Sequence, residues 1–432
     1  MENHSSLQSS SWSLLEKIGF RFFFVYFTLF ITFENNGAYP FFVYISRMWS
    51  NFLNNYIPWV GKHILGIPYD FKGGPNGSGD TTFDYVILFC ILMLAIIVTV
   101  IWSFLDRKRK NYAKMYYWLT VALRFYVGLM LINYGLVKVI QVQFSSPGLY
   151  RLTQPYGESS PMGLAWTFLG FSKGYNLFMG IAEVAAVLLL FRRTLTLGLI
   201  ITIMTTANVM AVNYFYDVPV KILSTHLVLI CLFLIARDFK KLLTFFLLRV
   251  PVSLTDIYKP KLKRGLKMTF TILKVLVIAY ALGYGLIETM RSKERYYGEG
   301  TKSPLQGLYE VREITLNGKT KTYDELTTKD WKYLAIERKG FAQVQLMSLK
   351  REWMTLKIDS TSTDKFTLTS RGVDERTYEF EYGEGDNSDF FLKGTVNSDT
   401  LFIKMKRYKD FKEKFLLTNR GFHWINEMPY NR

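Results

Sequence analysis

Seven long apolar runs in the first 290 residues constrain this 432-residue chain more than any other feature of its sequence. About 20 consecutive apolar residues are enough to cross a bilayer as a helix. We therefore predict an α-helical membrane protein of about seven transmembrane helices, with the lipid bilayer as its surroundings. The predicted spans are residues 18–33, 83–105, 116–140, 175–191, 195–212, 220–236 and 268–287.

The positive charge of the chain follows these apolar runs and does not indicate a nucleic-acid partner. The net charge is +18, and residues 1–290 carry 27 Lys/Arg against 13 Asp/Glu, whereas residues 291–432 carry 26 against 22. Basic residues beside apolar runs mark cytoplasmic loops. We therefore attribute the excess to membrane topology and expect no binding of nucleic acid.

The distribution of charge among the linkers predicts an orientation in the membrane. Linkers 106–114, 192–193 and 237–267 are strongly basic, and they alternate with linkers that are nearly neutral. Positively charged loops stay in the cytoplasm. With seven spans, the N-terminus is then cytoplasmic and the C-terminal part lies on the outer, periplasmic side of the plasma (inner) membrane. The aromatic, amphipathic stretch 41–60 is predicted to lie along the outer interface.

After Arg291 the sequence alternates between polar and apolar residues with a period of two, which is typical of β-strands. Asn317-Gly318 and the stretch 383–385 are turn signals between such strands. We predict a C-terminal antiparallel all-β barrel or sandwich, with a lipocalin-like barrel as one form of it. The predicted strands are 308–316, 333–337, 342–349, 353–359, 365–370, 377–381, 390–396 and 400–406.

Four regions follow from these patterns. Residues 1–115 hold the N-terminal spans and the outer interfacial segment, and residues 116–246 form a four-helix core. Residues 247–290 hold a basic linker and the last span, and residues 291–432 form the soluble β domain.

Ionisable side chains inside the predicted spans are the candidates for function, because burying a charge in a bilayer is costly. Arg124 and Lys138 lie about 40° apart around one helix, and Gly128 and Gly135 on the same face allow a neighbouring helix to approach. Glu183 in the next span needs a partner, for which Lys138 or Arg124 is available. The further candidates for ligand binding or proton exchange are Asn133, Asn208, Asn213, Asp217, Lys221 and His226.

Each of these side chains also has a purely structural interpretation. Lys138 and Lys221 lie near helix ends and can extend to the membrane surface, and Arg124 can bind a backbone carbonyl or a lipid phosphate. Glu183 can form a structural ion pair, and His226 can be a hydrogen-bonded packing residue. Taken together, their depth favours a shared polar pocket in the outer half of the bilayer, formed by four consecutive spans.

Several chemistries are not supported by the sequence. A single histidine in the predicted spans, His226, cannot supply two axial ligands to a b-type haem. The chain has no zinc-protease motif, no phosphate-binding Walker loop and no nucleophile elbow, and no metal site is expected. A redox group, if one takes part, is then diffusible or belongs to another subunit.

Part of the core resembles the DoxX-like family of membrane proteins. The matching residues are Arg124, Gly128, Gly135 and Lys138, then Gly180 and Glu183, Gly198 and Asn208, and finally the stretch from Asn213 through Asp217 and Lys221 to His226. The resemblance covers residues 116–246. It implies a link to quinone-dependent redox systems, as a small subunit or partner of an oxidoreductase. The Gly-x-x-Lys helix is also distantly similar to the transmembrane domain of vitamin K-dependent γ-carboxylases, where a lysine acts as base on a reduced quinone.

Two functions therefore remain open. The first is an accessory membrane protein that binds a quinone or lipid-like ligand in an outer-leaflet pocket and is linked to a redox or envelope complex. The second is a non-enzymatic membrane platform or assembly factor that presents the β domain to a partner protein through residues 300–432. Transport of a small solute is a weaker third alternative, because no pair of broken helices repeats in two similar halves.

Overall fold

The structure is a computed structural model. It describes residues 11–74, 77, 79–255, 260, 262–359, 362, 364–371, 376–396, 399–411 and 414–431, without the side chain of Asn387. The chain divides into two compact units. The helical unit comprises Met1–Phe144 and Pro161–Met290, and the β unit comprises Ser145–Ser160 and Arg291–Arg432.

Two of the apolar helices of the helical unit begin at a capping box. Ser13 and Glu16 form a capping box at the first helix, and Thr81 and Asp84 form another at the third. The helices are α1 Leu14–Phe33, α2 Phe42–His63, α3 Thr82–Leu105, α4 Ala113–Val139, α6 Pro161–Phe171, α7 Lys173–Val184, α8 Leu195–Phe215, α9 Lys221–Ile235, α10 Phe239–Leu248, α11 Arg264–Ala279 and α12 Gly285–Tyr297, while α5 Leu149–Leu152 belongs to the β unit.

Within the described part of the chain, five helices are long and apolar enough to cross a membrane. They are Thr82–Leu105, Ala113–Val139, Lys173–Leu190, Leu195–Phe215 and Arg264–Thr301. A sixth is added if α9 and α10 are one span bent by 79°. Helix α1, which carries Glu16, Lys17 and Arg21 in its first turns, is not among them. Several predicted spans are therefore confirmed as apolar helices of sufficient length, and the count of seven stays a prediction.

Two predicted segments differ from the observed helices. The basic linker 237–267 is not only a loop, because it contains α10, whose side chains are all at least partly exposed. The predicted span 175–191 is not one regular helix, because α7 ends at Val184 and continues as a 3-10 helix, Ala185–Leu190. The Thr194 hydroxyl donates to the Leu188 carbonyl at 2.7 Å and closes the end of this tighter turn.

Helix α4 lies at the centre of the helical unit. More than half of its residues are buried, and its apolar side chains form one core with those of α1, α8 and α9. Helix α11 buries none of its side chains, although a five-residue π-helix, Tyr280–Tyr284, follows it and contacts α4 through Ala281. The core is therefore organised around α4, the helix that carries Arg124 and Lys138.

The β unit contains an antiparallel eight-stranded barrel, as the sequence predicts. The first and last strands pair and close it, and the short β2 extends the sheet beside β1. Every predicted strand is present, while β2 was missed. The strands are β1 Lys302–Leu316, β2 Lys319–Thr322, β3 Trp331–Arg338, β4 Phe341–Leu346, β5 Arg351–Ile358, β6 Lys365–Ser370, β7 Thr377–Glu384, β8 Asp389–Val396 and β9 Asp399–Tyr408.

The turn signals of the β unit are confirmed at one position and shifted at another. Asn317 and Gly318 both have positive φ angles of 48° and 78°, as the two central residues of a type I′ hairpin require, and they join β1 to β2. Gly383 is still part of β7, so the second turn begins at Gly385 and not at Gly383.

Large side chains fill the interior of the barrel. Tyr309, Phe366 and Phe390 are almost fully buried there, with apolar residues from the other strands around them. An eight-stranded barrel is just wide enough for side chains to fill it. The interior of the barrel therefore contains a core of packed side chains, with aromatic residues among its most buried members.

The β unit also includes a segment from between two helices. In residues 145–160 the Leu149 amide donates to Glu337 at 2.6 Å, and the Tyr150 ring stacks on Trp353 with their centroids 5.1 Å apart. The nearly neutral linker between the spans predicted at 116–140 and 175–191 is thus divided, since its first part packs on the barrel and its second part forms α6.

Candidate functional site

Helices α4 and α7 approach most closely where two glycines face each other. A Cβ atom on Gly135 would lie 2.8 Å from the Gly180 carbonyl oxygen, and a Cβ atom on Gly180 would lie 2.8 Å from the Gly135 carbonyl oxygen. Small residues allow such backbone contact between membrane helices. The predicted close approach at Gly135 is confirmed, and Gly128 likewise faces Ala186 and Leu190 in the 3-10 segment.

Three residues beyond each glycine, Lys138 and Glu183 form a buried ion pair. The Lys138 Nζ atom lies 2.7 Å from both carboxylate oxygens, and the two residues are only 6% and 2% exposed. The motifs Gly135-x-x-Lys138 and Gly180-x-x-Glu183 are therefore matched across the helix crossing. The sequence allowed Lys138 or Arg124 as the partner of Glu183, and in the structure Glu183 pairs with Lys138.

Aromatic and amide groups surround this ion pair. The Nζ atom of Lys138 lies 5.6 Å from the ring centre of Tyr134 and 5.7 Å from that of Phe144. Asn176, which is fully buried on α7, donates to the Phe144 carbonyl at 2.8 Å. The chain that leaves α4 is thereby held beside the ion pair.

Several buried polar atoms near the end of α4 make no hydrogen bond to the described residues. They are Asn176 Oδ1, Gln141 Nε2 and Gln143 Oε1. Both glutamines lie in the turn that ends α4, where the Gln141 amide donates to the Lys138 carbonyl at 2.9 Å. An unpaired buried polar group costs about 1–3 kcal/mol, so a polar molecule that hydrogen-bonds to these atoms would offset a substantial penalty.

The other predicted cation of α4, Arg124, does not join this site. Its Nε atom donates to the Leu189 carbonyl at 2.7 Å. This contact corresponds to the carbonyl-binding interpretation of Arg124. The four residues Arg124, Gly128, Gly135 and Lys138 nevertheless all face the stretch from Gly180 to Leu190, so the predicted common face of α4 is confirmed.

His226 contacts partners of its own, which differ from those of Lys138 and Glu183. Its Nδ1 atom is 2.7 Å from the Ile222 carbonyl oxygen, which can only accept a hydrogen bond, so Nδ1 carries the proton. In the neutral imidazole, Nε2 then accepts the hydrogen bond from the Tyr26 hydroxyl at 2.8 Å. The ring stacks on Phe30 with centroids 3.8 Å apart. No hydrogen bond or ion pair among the described residues joins His226 to the ion pair, and a pocket shared by four helices stays a prediction.

The remaining predicted site residues are satisfied separately. Asn133 donates to the Gly37 carbonyl, and Asn213 donates to the Val220 carbonyl. Asp217 and Lys221 pair with each other at 2.9 Å, where Asp217 is largely exposed. Asn208 is exposed on α8. Four of these five residues thus contact a nearby backbone or side-chain partner instead of the ion pair, and Asn208 lies on the exposed surface of its helix.

Sequence reasoning missed Asn176, Gln141, Gln143 and Tyr26. The spacing of Asn176, Gly180 and Glu183 by four and three residues places them on one helix face, and this signal could have identified Asn176. The two glutamines follow the last predicted turn of the helix, where polar residues are expected on any surface. Tyr26 carried no signal, because it belongs to an apolar run in which aromatic residues are common.

Comparison with known proteins identifies one relative. The chain is 40% identical over 116 residues to a Bacillus subtilis (strain 168) protein described as uncharacterized protein YwoB. The aligned residues make up 26% of this chain and 72% of that protein. No family model matches the chain, and no solved structure matches it.

Proposed function

We propose that this chain, which belongs to the same family as Bacillus subtilis YwoB, is a membrane accessory protein that binds a quinone or a similarly polar lipid-like ligand beside Lys138 and Glu183. The observation that carries the proposal is a buried ion pair on α4 and α7 together with unpaired buried polar atoms on Asn176 of α7 and on Gln141 and Gln143 in the turn that ends α4. Structural ion pairs in proteins are normally accompanied by satisfied neighbours. An ordered ligand would satisfy these groups.

The chemistry of the unpaired groups suits a quinone and its quinol. The Gln141 amide nitrogen is a donor, which fits the carbonyl oxygen of a quinone, and Lys138 has a third proton to donate. The oxygens of Asn176 and Gln143 are acceptors, which fit the hydroxyl groups of a quinol. The quinone would supply the electron chemistry, and the residues of this chain would bind and orient it.

The position of the ion pair also favours a ligand that dissolves in the bilayer. Both helices that carry it are long and apolar enough to cross a membrane. The predicted topology places Lys138 near the outer surface, at a level that a lipid-soluble molecule reaches from the side. The resemblance of residues 116–246 to the DoxX-like family points to the same class of ligand.

The proposal is tested by measuring what the protein carries. The full chain is purified in mild detergent, and quinones in its lipid extract are quantified by mass spectrometry. The wild type is expected to retain quinone in a fixed ratio, and the double variant Lys138→Ala/Glu183→Ala is expected to lose most of it. Asn208→Ala, on the exposed surface of α8, is the matched control. Absence of quinone from the wild type, or equal amounts in all three proteins, would contradict the proposal.

A second candidate function is that of a platform that presents the barrel to a partner protein. The observation that favours it is the connection of the β unit to the rest of the chain, which passes between the units after Phe144, after Ser160 and after Met290. A barrel with a packed interior and three covalent connections suits presentation of its outer surface. Cross-linking from exposed positions in residues 300–432 tests this: capture of one defined partner, undiminished in Lys138→Ala/Glu183→Ala, would favour the platform.

A further inference from the structure

Three cationic side chains meet at the end of the 3-10 segment that follows α7. The Arg124 Nε atom donates to the Leu189 carbonyl, and the Lys274 Nζ atom lies 4.1 Å from the ring centre of Phe191. The guanidinium of Arg192 lies over the Tyr117 ring, 5.0 Å from its centre, and donates to its hydroxyl. Arg124, Arg192 and Lys274 are called the cation cluster below.

No carboxylate among the residues that the structure describes forms an ion pair with a member of the cation cluster. Among the described residues, none of its three members takes part in an ion pair, and the two terminal nitrogens of Arg124 donate to no acceptor. Asp238 is on a neighbouring element, but its oxygens are held by Arg237, Thr196 and Thr255. Three like charges in electrostatic range of one another repel unless an anion lies between them.

The three cations come from different parts of the chain, but each reaches the end of the 3-10 segment. Arg124 contacts Leu189 from α4, and Lys274 contacts Phe191 from α11. Arg192 lies in the turn between the 3-10 segment and α8. Long basic side chains can extend from within an apolar layer to the lipid headgroups.

We propose that Arg124, Arg192 and Lys274 form a binding site for a phosphate group. Guanidinium groups bind phosphate through paired hydrogen bonds, and the ammonium group adds a point charge. A phosphate bound by these side chains is either the headgroup of an anionic phospholipid or a soluble phosphate. The site is separate from the ion pair, because Arg124 and Lys138 are 14 residues apart, which is about 21 Å along α4.

The test uses the full chain in nanodiscs of phosphatidylcholine, with or without phosphatidylglycerol. The protein is then released from the nanodiscs into detergent, and native mass spectrometry counts the phospholipids that stay bound to it. The wild type is expected to retain phosphatidylglycerol at least tenfold more than phosphatidylcholine. Arg192→Gln and Lys274→Gln are expected to reduce this preference to about twofold. Arg193→Gln is the matched control, since it removes an adjacent, exposed arginine and should keep the preference.

A second arm distinguishes the source of the phosphate. Inorganic phosphate is added to the protein in phosphatidylcholine nanodiscs, and the temperature of thermal unfolding is measured. The reference is a sulfate-free chloride buffer of equal ionic strength. A rise of unfolding temperature in the wild type and in Arg193→Gln, but not in Arg192→Gln, assigns the site to soluble phosphate. The proposal would be overturned if all four proteins showed the same lipid preference and none responded to phosphate. It would also be overturned if Arg193→Gln lost the lipid preference as much as Arg192→Gln.

Discussion

At the scale of single residues, the ion pair of Lys138 and Glu183 shows what the sequence can predict. The sequence identified both charges and the need for them to pair, because an isolated charge in an apolar helix is too costly. It could not decide between Lys138 and Arg124, because that choice depends on where the helices cross. The backbone carbonyl at Leu189, which occupies Arg124, carries no sequence signal.

We expect Glu183→Gln to destabilise the protein by about 3–5 kcal/mol, because Lys138 would be left buried without its counter-charge. The double variant Lys138→Met/Glu183→Met should recover most of this loss, since an apolar pair removes both charges. Thermal unfolding in detergent measures both. If the single and double variants lose equal stability, the ion pair is not the cause of the loss.

Glu310 gives the β unit a dependence on pH. Burial raises the pKa of Glu310, but hydrogen bonding by Tyr408 and the charges of Lys414 and Arg312 outweigh it and lower the pKa below the usual 4.5. A carboxyl group with a lowered pKa stabilises the fold above pH 4.5, and this contribution is lost as the pH falls through the lowered value.

The variant Glu310→Gln should therefore lose about 1 kcal/mol of stability at pH 7, a modest value because solvent screens part of the interaction. The difference from the wild type should shrink as the pH falls through the lowered pKa of Glu310. Hydrogen-exchange protection of β1 and β9, corrected for the intrinsic rates at each pH, measures the difference. A difference that stays constant, or grows, as the medium is acidified would contradict the assignment.

At the scale of elements, hydrophobic periodicity located most apolar helices and eight of the nine strands, because each buries one face over many residues. It missed β2, because all four residues of this strand are polar. It also missed the end of α7 at Val184, because this residue lies inside a continuous apolar run. Bends and tight turns of this kind depend on packing against neighbours, such as the contact of Gly198 with Leu188.

The crossing of α4 and α7 should not tolerate a methyl group. Gly135→Ala and Gly180→Ala each place a Cβ atom within 2.8 Å of a backbone oxygen, so the helices must separate. We expect a loss of about 2 kcal/mol or more in each variant and a weaker ion pair. Gly265→Ala is the control, because a Cβ atom there meets nothing within 4 Å. Equal unfolding temperatures for Gly135→Ala and Gly265→Ala would contradict the close approach.

At the scale of the whole molecule, the sequence indicated the boundary near residue 290 but not the inclusion of residues 145–160 in the β unit. The signal was absent because the segment is held by contacts between residues far apart in sequence, the Glu337 carboxylate at the Leu149 amide and the stacking of Tyr150 on Trp353. The boundary after Met290 falls inside helix α12. It is therefore marked in the sequence by a change of amino-acid composition and not by a loop.

We expect Glu337→Ala to release the segment 145–160 from the barrel. Hydrogen exchange of this segment should accelerate about tenfold or more, because the Leu149 amide loses its acceptor. The barrel strands should keep their protection. Glu379→Ala, on the exposed face of β7, is the control and should leave the segment unchanged. Uniform acceleration across the barrel in Glu337→Ala would instead indicate unfolding of the whole unit.

The most direct test of the proposed ligand site is photo-crosslinking with a short-chain naphthoquinone that carries a photoreactive group, followed by peptide mapping of the full chain. The account predicts labelling of peptides that contain Tyr134 to Phe144 and Asn176 to Glu183, and loss of that labelling in Lys138→Ala/Glu183→Ala. Labelling confined to the surroundings of His226, or labelling that the double variant leaves unchanged, would contradict it.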